Sequence, residues 1–384
     1  MAGPDASSPP VKKVNPVKTI RRLIYGEVLH AVVFVTLAFL SLFFFFDLVD
    51  EIQNLSRYAA SGYRLVHALA YVGLMVPSHL YELMPIAVLI GTIFVMAKFA
   101  QTSQFTILRT SGLGPARALK TLLLMGLAFG LLTFAIGDYI SPAADRTAQL
   151  LKARYKGNIT VGQTGAWLKD KQPYSQYAVN VNAMSPDGSM SGVRLFEFDN
   201  QGFLMSMVQA QKAAFADDDS WQLRGVERTE FPAKGATSAR IERTHLESLR
   251  WPTQISAEMV SASLLKPERM RTIDLFEYIQ HLRANVQSAQ RYEIEFWKKV
   301  FYPLSCLVMV VLALPFAYLH FRSGGISAYV FGGVMAGISF FLLNNVFGYI
   351  GNLQNWQPWL TAALPGMIYS VISLSAFGWL VLRR

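Results

Sequence analysis

The stretch VLHAVVFVTLAFLSLFFFF, residues 28–46, decides the fold class of this chain. Its 19 residues include no Asp, Glu, Lys or Arg. At about 1.5 Å rise per residue, a helix of this length measures about 28 Å, close to the roughly 30 Å of a bilayer's hydrocarbon core. The stretch is too long for the apolar region of a cleavable signal peptide. It therefore predicts a membrane-spanning helix.

Five more apolar stretches follow the first one, and a polar block divides the six into two groups of three. The chain is 52% hydrophobic and only 16% charged, which is more apolar than soluble globular proteins usually are. The fold class predicted is a membrane α-helical bundle of six transmembrane helices with an inserted all-β, jellyroll-like domain. The further stretches are residues 69–97, 118–137, 300–319, 326–350 and 359–381.

The polar block has the pattern of a β domain. Residues 193–198 and 203–208 are rich in strand-forming side chains, and the turn sequence Asp-Asn-Gln-Gly separates them at 199–202. Another strand is predicted from Trp221 to Glu227. Several short strands with turns between them suggest a sandwich or a jelly roll. Thr272 is predicted to cap an amphipathic helix that leads back to the membrane, with its apolar face at Ile273, Phe276, Ile279, Leu282 and Val286.

The net charge of +10 is concentrated on one side of the predicted spans. Residues 1–26, 98–120, 320–326 and 383–384 hold twelve Lys and Arg but only one acid, Asp5, whereas the rest of the chain is nearly balanced. By the positive-inside rule, both termini are cytoplasmic. Topology thus explains the basic pI without nucleic-acid binding. The predicted parts are a cytoplasmic tail and lead-in, 1–26; helices one to three, 27–140, with a cytoplasmic loop, 98–115; an external domain and connecting helix, 141–296; and helices four to six, 297–384.

The cytoplasmic loop has a construction of its own. The sequence QFTILRT, residues 104–110, is predicted to form two turns of helix, with Gly112 suited to a left-handed cap and Pro115 to the start of the third span. Phe105 and Leu108 stand three apart and would form an apolar knob on one face. Two interpretations remain open on these residues alone: a plain interfacial helix lying among lipid headgroups, or a coupling helix that docks on a cytoplasmic partner.

Several kinds of chemistry lack their sequence signatures. No P-loop motif is present, so the chain does not bind ATP in that way, and no hydrolase or zinc-protease motif is found. The six histidines have no ligand spacing, which predicts no metal and no cofactor. The few polar groups within the spans, such as Glu82 and Asp138, are too sparse for an ion-coupled transporter. We therefore predict no catalytic residues, and if the chain moves a substrate, we expect the energy to come from elsewhere.

Two local sequences resemble the permease subunits of the lipopolysaccharide export machine, the YjgP/YjgQ-type Lpt F/G family. One is Phe99–Gly112 in the cytoplasmic loop, and the other is the re-entry from Arg291-Tyr292 to WKKVFYPLS, residues 297–305. The arrangement of three spans, a β domain and three spans is similar throughout. The pair Ser111-Gly112 and the C-terminal WLVLRR, residues 379–384, look more like the G member than the F member.

The resemblance implies an ABC-type exporter that extracts lipopolysaccharide from the outer leaflet of a Gram-negative inner membrane. The implied partners are an F-type permease in a heterodimer, two copies of a cytoplasmic ATPase that binds the ATP, and membrane-anchored and periplasmic jellyroll proteins. It also favours the coupling-helix interpretation of the loop. The residues expected to contact the ATPase are Gln104, Phe105, Leu108, Arg109, Ser111 and Gly112. One departure is Gln104, where the family usually has Glu, and another is the acidic pair Asp47 and Asp50 in place of a basic patch.

Lipid A carries acyl chains and anionic phosphates, so an extracting protein needs an apolar cleft with cations near headgroup level. Arg146, Lys152 and Arg154, just beyond the third span, are the predicted headgroup residues. Ordinary snorkelling cations are the alternative for each of them. The predicted acyl-chain cleft lies between spans one and five, at Phe43, Phe45, Phe340, Phe341 and Phe347.

Two other functions compete with export. One is an ABC-type mechanotransmission or scaffold protein that carries no substrate itself. The other is a membrane transferase acting on a lipid-linked sugar, which would need acidic residues clustered at one face of the membrane, and no convincing cluster is seen.

Overall fold

The computed structural model describes residues 16–110, 114–156, 165–173, 175–185, 188–216, 219–232, 241–256, 259–260, 267–318 and 326–382. Within these ranges, six helices are long and apolar enough to cross a membrane. An all-antiparallel sheet lies between the third and the fourth, which confirms the predicted class. The spans are Ile20–Tyr58, Leu65–Gln101, Pro115–Lys152, Gln290–Tyr318, Ser327–Leu353 and Pro358–Trp379.

The helices before the sheet continue well beyond the apolar cores of their sequences. They are α1 (Pro16–Tyr58), α2 (Leu65–Gln101), the short α3 (Gln104–Thr110), α4 (Pro115–Ala135) and α5 (Ser141–Lys156). A π-helical turn, Ile136–Ile140, joins α4 to α5. Pro115 stands in the first turn of α4, as predicted, where its missing N–H costs nothing.

The helices after the sheet return to the membrane and cross it three times. They are α6 (Thr272–Ala284), α7 (Gln290–Phe301), α8 (Ser305–Ala313), α9 (Ile326–Leu353) and α10 (Pro358–Leu382). The turns Tyr302–Leu304 and Leu314–Tyr318 precede and follow α8. Together, α7 and α8 form the fourth span.

Helix α2 is the centre of the membrane bundle. It continues through Pro77 and Pro85, and every residue from Leu83 to Ile93 is buried. Its side chains join α1, α4 and α8 in one apolar cluster and α8, α9 and α10 in a second. Most of the outward surface of α1 and α9 is apolar, as expected for helices that face lipid or another membrane subunit.

In the described part of the chain, the sheet has six strands in chain order, each antiparallel to the next. The strand order was not predictable from the sequence, whereas the hairpin at 193–208 and the strand at Trp221 are confirmed. Asp199 Oδ1 accepts the N–H groups of Gln201 and Phe203 in the predicted turn, both at 2.8 Å. The strands are β1 (Ala166–Lys171), β2 (Gln176–Met184), β3 (Met190–Phe198), β4 (Leu204–Ala216), β5 (Ser220–Glu230) and β6 (Glu242–Pro252).

Helix α6 closes the core of the β domain. Leu275, Tyr278, Ile279 and Leu282 pack in one cluster with side chains of the sheet, including Trp221. The predicted apolar face was partly wrong, because Ile273, Phe276 and Val286 are exposed. The buried stripe includes Leu275 and Tyr278, each next in sequence to a predicted or exposed apolar position, because these two side chains pack with the core of the sheet.

Candidate functional site

Helix α3 lies between α2 and α4, on the side of the bundle away from the sheet. Phe105 is only 4% exposed and packs edge-on against the ring of Tyr318, with 5.0 Å between the ring centres. Leu108 is buried in the same cluster. The prediction that these two side chains form an outward-facing knob was therefore wrong: they anchor α3 to the end of the fourth span.

The outward surface of α3 consists of different residues. Gln104 is exposed, and Ile107 is 62% exposed. Arg109 belongs to the helix, but its side chain lies outside the described part of the structure, as do Ser111 and Gly112. An exposed isoleucine beside an amide offers a small, mainly apolar contact surface, which we call the α3 surface (Gln104 and Ile107).

The three predicted headgroup cations have different environments. Arg146 is exposed on α5, and the side chain of Arg154 lies outside the described residues. The ammonium group of Lys152 donates a hydrogen bond to Glu51 Oε2 at 2.7 Å. The side chain of Glu51 is 4% exposed and that of Lys152 is 26% exposed. The sequence suggested no partner for Lys152, because Glu51 lies in a distant part of the chain, at the end of α1.

The Glu51 carboxylate is surrounded by donors. Tyr63 Oη donates to Oε1 at 2.9 Å, and Asn54 Nδ2 donates to Oε2 at 3.2 Å. Burial and the hydrogen bond to Glu51 both raise the pKa of Tyr63, so its phenol remains protonated and available as a donor. The ammonium of Lys152 also lies over the ring of Tyr71, 4.4 Å from its centre. We call Glu51, Asn54, Tyr63, Tyr71 and Lys152 the outer cluster.

A second contact beside the outer cluster joins the same elements. His67 Nδ1 accepts the backbone N–H of Arg64 at 3.0 Å, which leaves its Nε2 to donate to Tyr155 Oη at 2.9 Å when the ring is neutral. The rings of Tyr63, His67 and Tyr155 are in mutual contact. The C-terminal end of α1, the start of α2 and α5 are thus fixed to one another.

The five predicted cleft residues do not share one surface. On α1, Phe45 is exposed and Phe43 contacts the ring of His79 on α2. On α9, Phe341 is exposed and Phe347 lies near Trp356. Phe340 is 2% exposed and packs against Tyr369 of α10, so the prediction that it lines an open cleft was wrong for this conformation.

Helices α1 and α9 flank opposite faces of α2. The Cβ position of Gly91 would lie 2.8 Å from Val32 of α1, whereas Ile86 and Ile93 contact Gly337 and Gly333 of α9. At 100° per residue, Ile86 and Ile93 lie about 140° and 200° around α2 from Gly91. The exposed aromatic side chains of α1 and α9 therefore lie on different sides of α2 within this chain.

Sequence reasoning missed a polar junction at the outer end of α4. Asp138 Oδ1 accepts both the backbone N–H and the hydroxyl of Thr272, at 2.7 and 2.6 Å. The buried Lys299 donates to the carbonyl of Gly137 at 3.2 Å. The π-helical turn thus connects a membrane helix, the first residue of α6 and the fourth span. Thr272 at a helix start was the available signal, but it predicted a local cap and not this distant acceptor.

A sequence model of the family described as lipopolysaccharide export system permease LptF/LptG matches residues 22–383. The chain belongs to this family. Since the match covers both groups of spans and the sheet between them, it confirms the resemblance drawn from the two local sequences. An LptF/LptG chain is a permease of lipopolysaccharide export.

Two curated relatives match nearly the full length of this LptF/LptG chain, and both are named lipopolysaccharide export system permease protein LptG. The relative from Escherichia coli (strain K12) is 26% identical over 340 residues, which cover 88% of this chain and 91% of the relative. The relative from Haemophilus influenzae (strain Rd) is 24% identical over 371 residues, 96% and 99% of the two chains. Both names agree with the assignment to the G member.

Proposed function

We propose that this chain is the G-type permease of an ABC exporter that extracts lipopolysaccharide from the outer leaflet of a Gram-negative inner membrane. It would pass the lipid to membrane-anchored and periplasmic jellyroll proteins. The observation that carries this proposal is the combination of an LptF/LptG match over residues 22–383 with six spans and an inserted β domain.

The proposed orientation follows from the charge. The excess of Lys and Arg lies at both termini and in the loop that contains α3, so these segments would be cytoplasmic and the sheet periplasmic. In this orientation, the outer cluster and Arg146 stand near the headgroups of the outer leaflet. Lipid A phosphates are anionic, so a cation at that depth is the complementary group.

A second permease subunit is needed to complete the cleft. Because α1 and α9 flank opposite faces of α2, each would present its aromatic side chains to a helix of another subunit. An F-type permease in a heterodimer satisfies this requirement. Phe45 and Phe341 are the exposed candidates for contact with acyl chains.

The energy for extraction would come from a separate ATPase, present in two copies. Each CH₂ group of a lipid is worth about 0.8 kcal/mol when buried in the membrane, so extraction of several acyl chains is steeply uphill. The α3 surface would dock on one ATPase copy. Since Phe105 contacts Tyr318, movement of α3 would be transmitted to the fourth span as well as to α2 and α4.

The Ile107→Asp substitution tests this proposal. It places a charge on the α3 surface without touching the buried Phe105 and Leu108. Co-purification of the ATPase with the permease pair should fall by at least about tenfold, since a charge would be desolvated in an apolar contact. Ile241→Asp is the matched control, because Ile241 is similarly exposed but directly precedes β6, far from α3.

The same preparations distinguish export from a scaffold role. In proteoliposomes with the ATPase and a periplasmic acceptor, the wild-type complex should release lipopolysaccharide on addition of ATP, whereas the Ile107→Asp complex should not. ATP hydrolysis without any lipid release by the wild-type complex would favour the mechanotransmission alternative. An ATPase that remains bound to the Ile107→Asp permease would contradict the assignment of the α3 surface.

A further inference from the structure

The outer cluster neutralises the cation that is best placed to bind a phosphate. Lys152 lies at the end of the third span, and its ammonium is 2.7 Å from Glu51 Oε2. The carboxylate is buried, while the lysine retains 26% exposure. An anion from the membrane surface could therefore reach Lys152 but not Glu51. The two anions would compete for the same ammonium group.

Glu51 is suited to exist with and without Lys152. Two neutral donors, Tyr63 and Asn54, remain on its oxygens when the ammonium moves away. A buried carboxylate that keeps hydrogen bonds to neutral donors is far less unfavourable than one left without partners. The long lysine side chain can turn outward without displacement of the backbone of α5.

The Glu51–Lys152 pair also joins two helices that lead to different parts of the molecule, α1 in the membrane and α5 toward the sheet. Glu51 belongs to the outer end of α1, a helix whose membrane segment is mostly exposed. Lys152 belongs to α5, the helix that leads toward β1. When Lys152 leaves Glu51, α1 loses its ionic contact with α5. Glu51 then keeps only its hydrogen bonds to the neutral side chains of Tyr63 and Asn54.

We propose that Glu51 acts as an internal competitor for the headgroup phosphate: an anionic glycolipid binds Lys152 only by displacing Glu51, and this displacement loosens the outer end of α1. Glu51 would thus set the threshold for phosphorylated lipids and couple their binding to the movement of a flanking helix. This inference rests on the proposed function, because it assigns a role in regulating the headgroup site.

Glu51→Gln in the complete complex with the second permease and the ATPase tests the inference. The amide retains the size of the side chain and a hydrogen-bonding oxygen but removes the competing charge. In nanodiscs, the affinity for bisphosphorylated lipid A should rise about tenfold, because binding no longer has to break the charged hydrogen bond between Lys152 and Glu51. The affinity for the same lipid A after removal of both phosphates should not change.

The matched control is Glu27→Gln, which removes the carboxylate of the other α1 pair, Glu27–Lys98 at 2.9 Å, near the opposite end of the helix. Its affinity for lipid A should equal that of the wild type. Lys152→Met should weaken binding of the phosphorylated lipid, and the Glu51→Gln/Lys152→Met double variant should bind as weakly as Lys152→Met.

A spin label on a Ser56→Cys variant reports the second half of the inference without any change in the outer cluster. Ser56 is exposed near the end of α1, and the native Cys306 is fully buried. Lipid A should increase the label's mobility in the otherwise wild-type complex, and Glu51→Gln should increase it without lipid.

Each alternative outcome has one meaning. Equal affinity of wild type and Glu51→Gln, or equal tightening for phosphorylated and dephosphorylated lipid A, would overturn the inference, as would an immobile label. Failure of the wild-type complex to bind lipid A in any form would instead overturn the proposed function.

Discussion

Helices α1 and α9 hold equivalent positions on opposite faces of α2 but are attached by different interactions. Among the described residues, α1 is attached by two ion pairs, Glu27–Lys98 and Glu51–Lys152, at 2.9 and 2.7 Å. A hydrogen bond between Asp47 and His79 at 2.6 Å adds a further polar contact. Helix α9 has no charged residue between Ile326 and Leu353 and meets α2 through Gly333 and Gly337. An ion pair in a membrane bundle can be broken by a competing charge, whereas a glycine contact sets only how closely two helices pack. The comparison indicates that α1 is the helix whose attachment an anionic ligand can alter.

The largest effect expected from this comparison concerns the burial of the ion pairs. Lys152→Met leaves the buried Glu51 with only its neutral donors, Tyr63 and Asn54, and should cost about 3 kcal/mol of unfolding free energy, the low end for a broken buried pair. Lys98→Met removes the cation of the Glu27 pair, where both side chains are about 40% exposed, and should cost less than about 1 kcal/mol. Thermal unfolding of the two variants in the same detergent measures the difference. Equal losses would show that the outer cluster is no stronger than a surface pair.

A second variant tests whether α1 also depends on close packing. The Cβ position of Gly91 would lie within 3 Å of backbone atoms of Val32, which cannot move aside as a side chain can. Gly91→Leu should therefore separate the helices and cost about 3 kcal/mol. Gly73→Leu is the control on the same helix, because nothing lies within 4 Å of its Cβ position. The fraction of protein that elutes as a single species in size-exclusion chromatography should fall for Gly91→Leu only.

The smallest effect is expected at α9. A methyl group at Gly337 would lie 2.9 Å from Ile86 Cγ2, the flexible part of a side chain, so Gly337→Ala should cost about 1 kcal/mol. Gly332→Ala meets nothing within 4 Å and should be neutral or slightly stabilising. Shifts in the midpoint of thermal unfolding measure both variants. A loss at Gly337 as large as that at Gly91 would remove the distinction between the two flanking helices.

The sequence predicted the elements better than their partners. Apolar length identified all six spans, and the Asp-Asn-Gln-Gly turn located β3 and β4, because these signals are local. The orientation of Phe105 depends on Tyr318, and the state of Lys152 depends on Glu51, and both partners are distant in the chain. The sequence of an apolar pair on a short helix is the same whether the pair packs within its own chain or against another protein. Likewise, the sequence around a juxtamembrane lysine does not show whether a carboxylate from another part of the chain lies beside it.

The junction between Asp138 and Thr272 has a consequence for the order in which the protein is made. The two residues are 134 positions apart, so Asp138 leaves the ribosome long before the group that completes its hydrogen bonds. The first three spans must be inserted, and the sheet synthesised, while this carboxylate has no Thr272 to bind. Closure of the junction requires α6 to be in place, and α6 packs in the core of the β domain. The hydrogen bonds between Asp138 and Thr272 can therefore form only after all six strands of the sheet have been synthesised.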